Sequence, residues 1–178
     1  FSLSPNLVEG RELYFPSAVA VDTSTSPPIL YVADRGNNRV LAWRNASAFQ
    51  NGAPADAVIG QRDRLLTSAA GPGSSLSTGL ALPVALAVDA TGNLYVADAG
   101  NNRILRFPRP LAQPEELKLP DMVIGQANFN NNRPNYGSTS PSATTIALNL
   151  GSNRIFRSGM VFDSTGNLWF SDSGNNRV

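Results

Sequence analysis

Short apolar runs, separated by glycine, asparagine, aspartate and proline, recur in a fixed order along the chain. Runs of about four residues that are rich in β-branched and aromatic side chains and bounded by turn formers are typical of β-strands. The sequence therefore predicts repeating units of four strands, which we call a to d. Strand a is predicted at 19–22, 86–89 and 160–163, strand b at 30–33, 94–97 and 168–171, strand c at 40–43 and 104–107, and strand d at 58–61 and 123–126.

The first two strands of each unit are apolar almost throughout, instead of alternating between apolar and polar positions. Continuous apolar strands are typical of sheets that are covered on both faces. Strands a and b are joined by Asp-x-Thr-Gly-Asn at 89–93 and 163–167, which predicts a tight turn with glycine at positive φ. In the first unit the joining segment, 23–28, is three residues longer and lacks this pattern.

A polar motif, Asp-x-Gly-Asn-Asn-Arg followed by valine or isoleucine, stands between strands b and c at 34–40, 98–104 and 172–178. We interpret the aspartate and arginine of each copy as a structural pair that bonds the turn and the neighbouring unit. The alternative is a ring of the same residues that grips a polar ligand, but a ligand site rarely needs the same pair in every unit. The residues concerned are Asp34, Arg39, Asp98, Arg103, Asp172 and Arg177.

Tandem four-stranded units that are buried on both faces predict an all-β fold, a segment of a β-propeller built of antiparallel blades. We place the first blade at 1–61, the second at 62–126 and an incomplete third at 127–178. The segment thus holds two full blades and part of a third. We expect either a longer propeller that supplies the other blades, or further copies of the chain that complete the ring.

The motif, with the apolar strand before it and the Gly-Asn turn before that, resembles the NHL repeat in all three units. The resemblance implies a ring that is most often six-bladed. Many members of the family carry histidine in this turn, where this chain has Asn38, Asn102 and Asn176, and their repeats are usually shorter. The extra length lies in 62–82 and 127–157, which are rich in serine, asparagine, threonine, glycine and proline.

Composition excludes several function classes. The chain has no histidine and no cysteine, which removes the usual transition-metal ligands, histidine-based triads, thiol nucleophiles and disulfides. Its 14 basic and 13 acidic residues give a net charge of +1, so we expect no nucleic-acid partner. No apolar run approaches the roughly 20 residues of a membrane span. The single lysine and the absence of thiols are typical of an exported protein, so we expect an extracellular, periplasmic or cell-surface location.

The two long insertions are the predicted binding surface. They connect strand d to the next strand a, so they should lie on the propeller face that carries the b–c turns. Long loops on a rigid scaffold commonly carry binding residues, and spacer loops are the alternative. The candidate ligand-binding residues are Arg133, Asn135, Tyr136, Asn153, Arg154 and Arg157.

Asp22, Asp89 and Asp163 end the predicted inner strands and form the candidate metal site. Converging carboxylates hold hard cations such as Ca²⁺. The alternative is that each aspartate begins its own turn, which the Thr-Gly-Asn that follows two of them explains without a metal. Beyond this possible Ca²⁺ we expect no cofactor. Two smaller signals are the adjacent acidic residues 115–116, interpreted as a solvated turn, and a glycosylation pattern at 45–47.

Two functions from different classes remain. The first is a non-catalytic binding or assembly scaffold, with the long polar loops as the interaction surface and with protein partners or self-association. The second, implied by the resemblance, is a propeller enzyme, either a Ca²⁺-dependent hydrolase similar to a lactonase or a lyase, whose key residues would lie partly in other blades. The resemblance also raises RNA binding, which would need an exposed basic face that includes Arg39, Arg103, Arg154 and Arg157. We assign no catalytic residue, and the missing histidine favours the scaffold.

Overall fold

The computed structural model describes residues 6–69, 76–114, 117–149 and 158–178. In these ranges the chain forms antiparallel sheets whose strands are hydrogen-bonded in chain order. Sheet 1 contains β1 (Ala18–Asp22), β2 (Ile29–Asp34), β3 (Arg39–Trp43) and β4 (Ala57–Ile59); sheet 2 contains β5 (Pro83–Val88), β6 (Leu94–Asp98), β7 (Arg103–Phe107) and β8 (Met122–Ile124); sheet 3 contains β9 (Met160–Phe162) and β10 (Leu168–Phe170). The described residues contain no α-helix, so the predicted all-β fold with four-stranded antiparallel sheets is confirmed.

The a–b connections follow from their turn residues. Gly92 and Gly166 adopt φ of 85° and 89°, a conformation that glycine reaches without strain. In both turns the aspartate accepts hydrogen bonds from the backbone N–H groups of the threonine two residues on and the asparagine four residues on. The hairpins are therefore short and closed, as the Asp-x-Thr-Gly-Asn pattern predicts.

The b–c connections are one turn of 3-10 helix each, at Arg35–Asn37, Ala99–Asn101 and Ser173–Asn175. Each turn ends on an asparagine in the left-handed region, with φ of 53°, 50° and 52° at Asn38, Asn102 and Asn176. Asparagine tolerates this conformation better than other non-glycine residues. The register then places the aspartate that ends strand b directly opposite the arginine that begins strand c.

The sheets stack face to face, and sheet 2 is covered on both sides. Strand β5 packs against β1 and β2 on one side and against β9 on the other. Leu86, Val96 and Leu105 of sheet 2 share one buried cluster with sheet 1, whereas Tyr95 and Ile104 share another with sheet 3. Because side chains alternate between the faces of a strand, this arrangement explains why strands a and b are apolar throughout.

The outward faces of sheets 1 and 3 carry exposed apolar side chains. Val19 and Val21 of β1 are 64% and 47% exposed. Val161 and Trp169, which are directly paired across β9 and β10, are 60% and 53% exposed. The positions in sheet 2 that correspond to them, such as Leu86 and Tyr95, are buried against a neighbouring sheet. No helix of the described ranges is long and apolar enough to cross a membrane.

Candidate functional site

The Asp-Asn-Arg turns have the same hydrogen bonds in each unit. In the second turn, Asp98 Oδ2 accepts from Arg103 Nε at 2.8 Å and from Asn101 Nδ2 at 2.8 Å. The other oxygen, Oδ1, accepts from the backbone N–H of Ala81 at 2.6 Å. The corresponding distances in the first and third turns are all 2.6–2.8 Å. One carboxylate thus binds its own turn and the segment that leads into strand a.

The glycine of each turn is required by a close backbone approach. Gly100 N–H donates to the Ala81 carbonyl at 2.8 Å, and a β-carbon on Gly100 would lie 2.7 Å from that oxygen. Gly36 and Gly174 make the same bond, to the carbonyls of Tyr14 and Ala147. None of the three glycines is at positive φ. Side-chain volume, and not backbone conformation, therefore excludes other residues here.

The arginines reach from the turn to the long loops. Arg103 donates to the backbone carbonyls of Phe129 at 2.5 Å, Leu76 at 2.6 Å and Gly79 at 3.0 Å. Arg39 likewise donates to the carbonyl of Arg64. Arg39 and Arg103 are fully buried with their aspartates, so neither offers charge to an RNA backbone.

Burial has an electrostatic cost at these pairs. Loss of water raises the pKa of the Asp98 carboxyl, although the charge of Arg103 and the N–H donors around it act in the opposite direction. Buried ion pairs of this kind contribute little net stability, because desolvation of the two charges offsets their attraction. We therefore assign the pair to positioning the turn and its loops, and not to adding stability.

In the first two turns the last asparagine links its sheet to the segment that precedes the next sheet. Asn38 Oδ1 accepts from the N–H of Leu82, which precedes β5, at 2.9 Å. Asn102 Oδ1 accepts from the N–H groups of Leu148 and Asn149, at 2.9 and 2.8 Å. Sequence reasoning attached the link between units to the aspartate and arginine, and it missed this asparagine.

A buried glutamine supports each of these asparagines. Gln126 Nε2 donates to the Asn102 carbonyl at 2.7 Å, and Gln61 Nε2 donates to the Asn38 carbonyl at 3.1 Å. Both glutamines come from the repeated Val-Ile-Gly-Gln segment. The recurrence of a polar residue after an apolar strand was the signal that could have identified this role.

Part of the chain matches a known family model. Residues 80–107 match the family model of the NHL repeat. This segment is similar to the NHL repeat. The match begins at Leu80, spans strands β5 to β7 and includes the whole Asp-Asn-Arg turn, so the predicted resemblance is confirmed. The other two units share the turn geometry of this NHL repeat. No curated protein matches the chain.

Some of the predicted ligand-binding residues are exposed in the structure, one is buried, and the others lie outside the described residues. Arg133 and Tyr136 are exposed beside the b–c turns, and the Tyr136 hydroxyl donates to the Thr144 carbonyl at 3.3 Å. Asn135 differs from the expectation, because it is buried and exchanges amide hydrogen bonds of 2.8 and 3.0 Å with Asn175. Both hydrogen-bonding groups of its side-chain amide are occupied by Asn175, which holds the loop against the third b–c turn. Candidates Asn153, Arg154 and Arg157 lie outside the described residues, as does the acidic pair 115–116.

The three candidate metal ligands are used separately. Hydrogen bonds from Trp169 and Asn167 hold the pKa of Asp163 below its usual range, and the turn around Asp89 lowers the pKa of that carboxyl too. Asp22 accepts from the N–H of Ser24 at 2.8 Å. Within the described ranges no group of three or more acidic side chains lies close enough together to hold a metal ion.

Proposed function

We propose that the protein is a non-catalytic scaffold of the NHL-type β-propeller class, in which further sheets of the same kind cover the outward faces of sheets 1 and 3 and complete a six-bladed ring. The observation that carries the proposal is the pair of exposed apolar faces, Val19 with Val21 and Val161 with Trp169. Large apolar surfaces left in water favour association, because their burial releases ordered solvent.

The contact between sheets 1 and 2 identifies what would cover these faces. Ala20 and Tyr31 of sheet 1 pack in the same cluster as Leu86 and Val88 of sheet 2. Alignment of the units puts Val161 and Trp169 at the positions of Ala20 and Tyr31. It also puts Val19 and Val21 at the positions of Leu86 and Val88. The two outward faces are therefore the two halves of one type of contact, and a head-to-tail stack that curves back on itself closes as a ring.

The face that carries the b–c turns and the long loops supports a binding role for the scaffold. Arg133 and Tyr136 present a charge and an aromatic ring from the turn Pro134–Gly137, which Asn135 anchors to the third b–c turn. Rigidly held loops with exposed aromatic and arginine side chains are common at protein–protein contacts. We propose a protein partner at this face, and export to the cell surface, periplasm or medium on the basis of the composition.

Trp169 provides a direct test of ring completion. The chain has two tryptophans, and Trp43 is buried, so a Trp43→Phe variant reports on Trp169 alone. We expect acrylamide to quench Trp169 weakly, because a covering sheet excludes it. Protection that depends on protein concentration would assign the covering sheet to a second copy. Protection at all concentrations would assign it to the same chain. Strong quenching at every concentration would overturn the proposal.

Charged variants test whether the contact is head to tail. Val19→Glu and Trp169→Glu should each weaken association measured by sedimentation velocity, whereas Leu65→Glu, at an exposed apolar loop position, should not. A mixture of the Val19→Glu and Trp169→Glu proteins retains one intact face of each kind and should recover one contact. Where the contacts are internal to one chain, the same two variants should instead lower the unfolding midpoint more than Leu65→Glu. Equal effects of all three variants would contradict the stacking argument.

A further inference from the structure

A polar cleft separates sheets 1 and 2 on the face opposite the b–c turns. Its inner cavity, of about 170 Å³, is lined by Asp22 and Thr25 from the first a–b loop, by Arg44 after β3 and by Arg109 after β7. A neighbouring outer cavity of about 210 Å³ shares Arg44, and its other charged residues are Arg62, Arg64, Lys118, Asp56 and Asp63. The cleft is formed by described residues of sheets 1 and 2 alone, so it does not depend on how the ring is completed.

Asp22 departs from the repeat in a way that leaves it available. Asp89 and Asp163 each accept hydrogen bonds from a threonine and an asparagine of a tight turn. The first unit has the longer 23–28 segment instead, and Asp22 accepts only the Ser24 N–H among the described residues. Asp22 is nonetheless 2% exposed. A buried carboxylate with one partner has unused acceptor capacity, which a bound donor group can fill.

Two guanidinium groups of the cleft have no hydrogen-bond or ion-pair partner among the described residues. No hydrogen bond or ion pair engages the side chains of Arg44 and Arg109 within the described ranges. By contrast, Arg106 on the other face of sheet 2 donates two hydrogen bonds of 2.8 Å to Asp121. Arg109 is held in the left-handed region, with φ of 38°, at the start of the turn Pro110–Ala112. Left-handed backbone at a bulky residue is strained and is retained where the surroundings or a function require it.

The charges that line the inner cavity indicate which groups a ligand must carry. Two arginines and one aspartate leave a net positive site, which disfavours a metal cation at Asp22. Asp22, Tyr31 and Arg44 line this cavity together. Burial raises the pKa of the Tyr31 hydroxyl, Asp22 adds to this and Arg44 opposes it. Arginine binds carboxylates through paired N–H donors, and Asp22 requires a donor from the ligand. Ile29 and Leu111 give the cavity apolar walls.

We propose that this cleft binds a hydroxylated carboxylate of the uronic acid class. Arg44 and Arg109 bind its carboxylate, and Asp22 accepts a hydrogen bond from one of its hydroxyl groups. The inner cavity is smaller than the roughly 300–1,000 Å³ of sites for drug-sized molecules, which fits a single sugar ring. Arg44 also lines the outer cavity, where Arg62, Arg64 and Lys118 outnumber Asp56 and Asp63, so the net charge there also favours a longer acidic saccharide.

Calorimetric titration with glucuronate at low ionic strength tests the site. We expect saturable binding that weakens as salt screens the arginines. Glucose lacks the charge, and cyclohexanecarboxylate lacks the hydroxyls. Each should bind at least about tenfold more weakly, because each leaves a charged group of the cavity without its partner. Equal binding of the three probes, or no binding of glucuronate at millimolar concentration, would overturn the proposal.

Matched arginine variants distinguish binding by specific arginine contacts from general electrostatic attraction. Arg44→Gln and Arg109→Gln should each weaken glucuronate binding by about tenfold or more, the effect of losing a charge-assisted hydrogen bond. Arg62→Gln removes the same charge from the outer cavity only and should change the affinity by less than about twofold. All three side chains are exposed, so the thermal midpoints should agree within about 2 °C. Weakening by Arg62→Gln as large as that by Arg44→Gln would contradict the assignment.

Discussion

Replacing Asn102 by alanine tests whether the last residue of the turn holds two sheets together. Its side-chain oxygen accepts from the N–H groups of Leu148 and Asn149, and its Nδ2 donates to the Asn132 carbonyl at 3.0 Å. Alanine removes these bonds. It also has to adopt the φ of 50° without the polar side chain that lets asparagine tolerate the left-handed region. The substitution therefore combines two separable effects, lost hydrogen bonds and backbone strain.

The two effects have different magnitudes. Leaving the buried Leu148 N–H without its acceptor costs about 1–3 kcal/mol. The left-handed conformation costs a residue such as alanine about 1–2 kcal/mol. We expect Asn102→Ala to lower the free energy of unfolding by about 3 kcal/mol. Asn102→Gly, in which glycine accepts this φ without strain, should lower it by about 2 kcal/mol.

The third turn contains the matched control. Asn176 has φ of 52°, but it is exposed, and its side chain has no hydrogen-bond partner among the described residues. With the contacts of the described residues, Asn176→Ala costs only about 1 kcal/mol, from strain alone, whereas a sheet that follows sheet 3 would raise this cost by giving Asn176 the link that Asn102 makes. Urea denaturation at one temperature measures all three variants. A glycine variant of Asn102 equal in stability to the wild type would refute the assignment of Asn102 as a link between sheets.

Two further predictions concern the turns. Gly100→Ala should destabilise by about 2 kcal/mol, because its β-carbon would overlap the Ala81 carbonyl oxygen. Gly159→Ala meets no atom within 4 Å and should be neutral or stabilising by less than about 1 kcal/mol, so the reverse order in urea denaturation would contradict the close approach. Stability should also fall as the pH drops below the ordinary aspartate pKa of 3.8. The reason is that the hydrogen bond from Trp169 lowers the pKa of Asp163 in the folded state. Near that pH the folded state therefore binds fewer protons than the unfolded state, and acid favours unfolding. Asp163→Asn should make the unfolding midpoint less dependent on pH between about pH 5 and pH 2, and an unchanged dependence would count against this reasoning.

Strands and turns could be predicted because their signals are local. The apolar runs predicted β5 and β6, and Asp-x-Thr-Gly-Asn predicted the closed hairpin between them. Recurrence in three units added weight to each signal. The buried Asp98–Arg103 pair was also readable, since both partners belong to one motif of seven residues.

The candidate sites were harder to predict because their partners are distant in the chain. Asn135 stands in a polar loop and was expected to face solvent, yet its partner Asn175 lies 40 residues away and buries it. The cleft between sheets 1 and 2 joins Asp22 to Arg109, and no local pattern relates these residues. In the sequence alone, a charged residue at such a position looks the same as one that is simply exposed to solvent.

The sequence by itself determined where the strands lie, how they turn and that sheet 2 is covered on both faces. Those properties follow from backbone preferences and side-chain alternation within a few residues. Only the tertiary structure decided that Asn102 bonds the segment at Leu148, that Asn135 is buried and that Arg44 and Arg109 line one cavity. The physical reason is that each of these contacts depends on the distance and angle at which whole sheets stack.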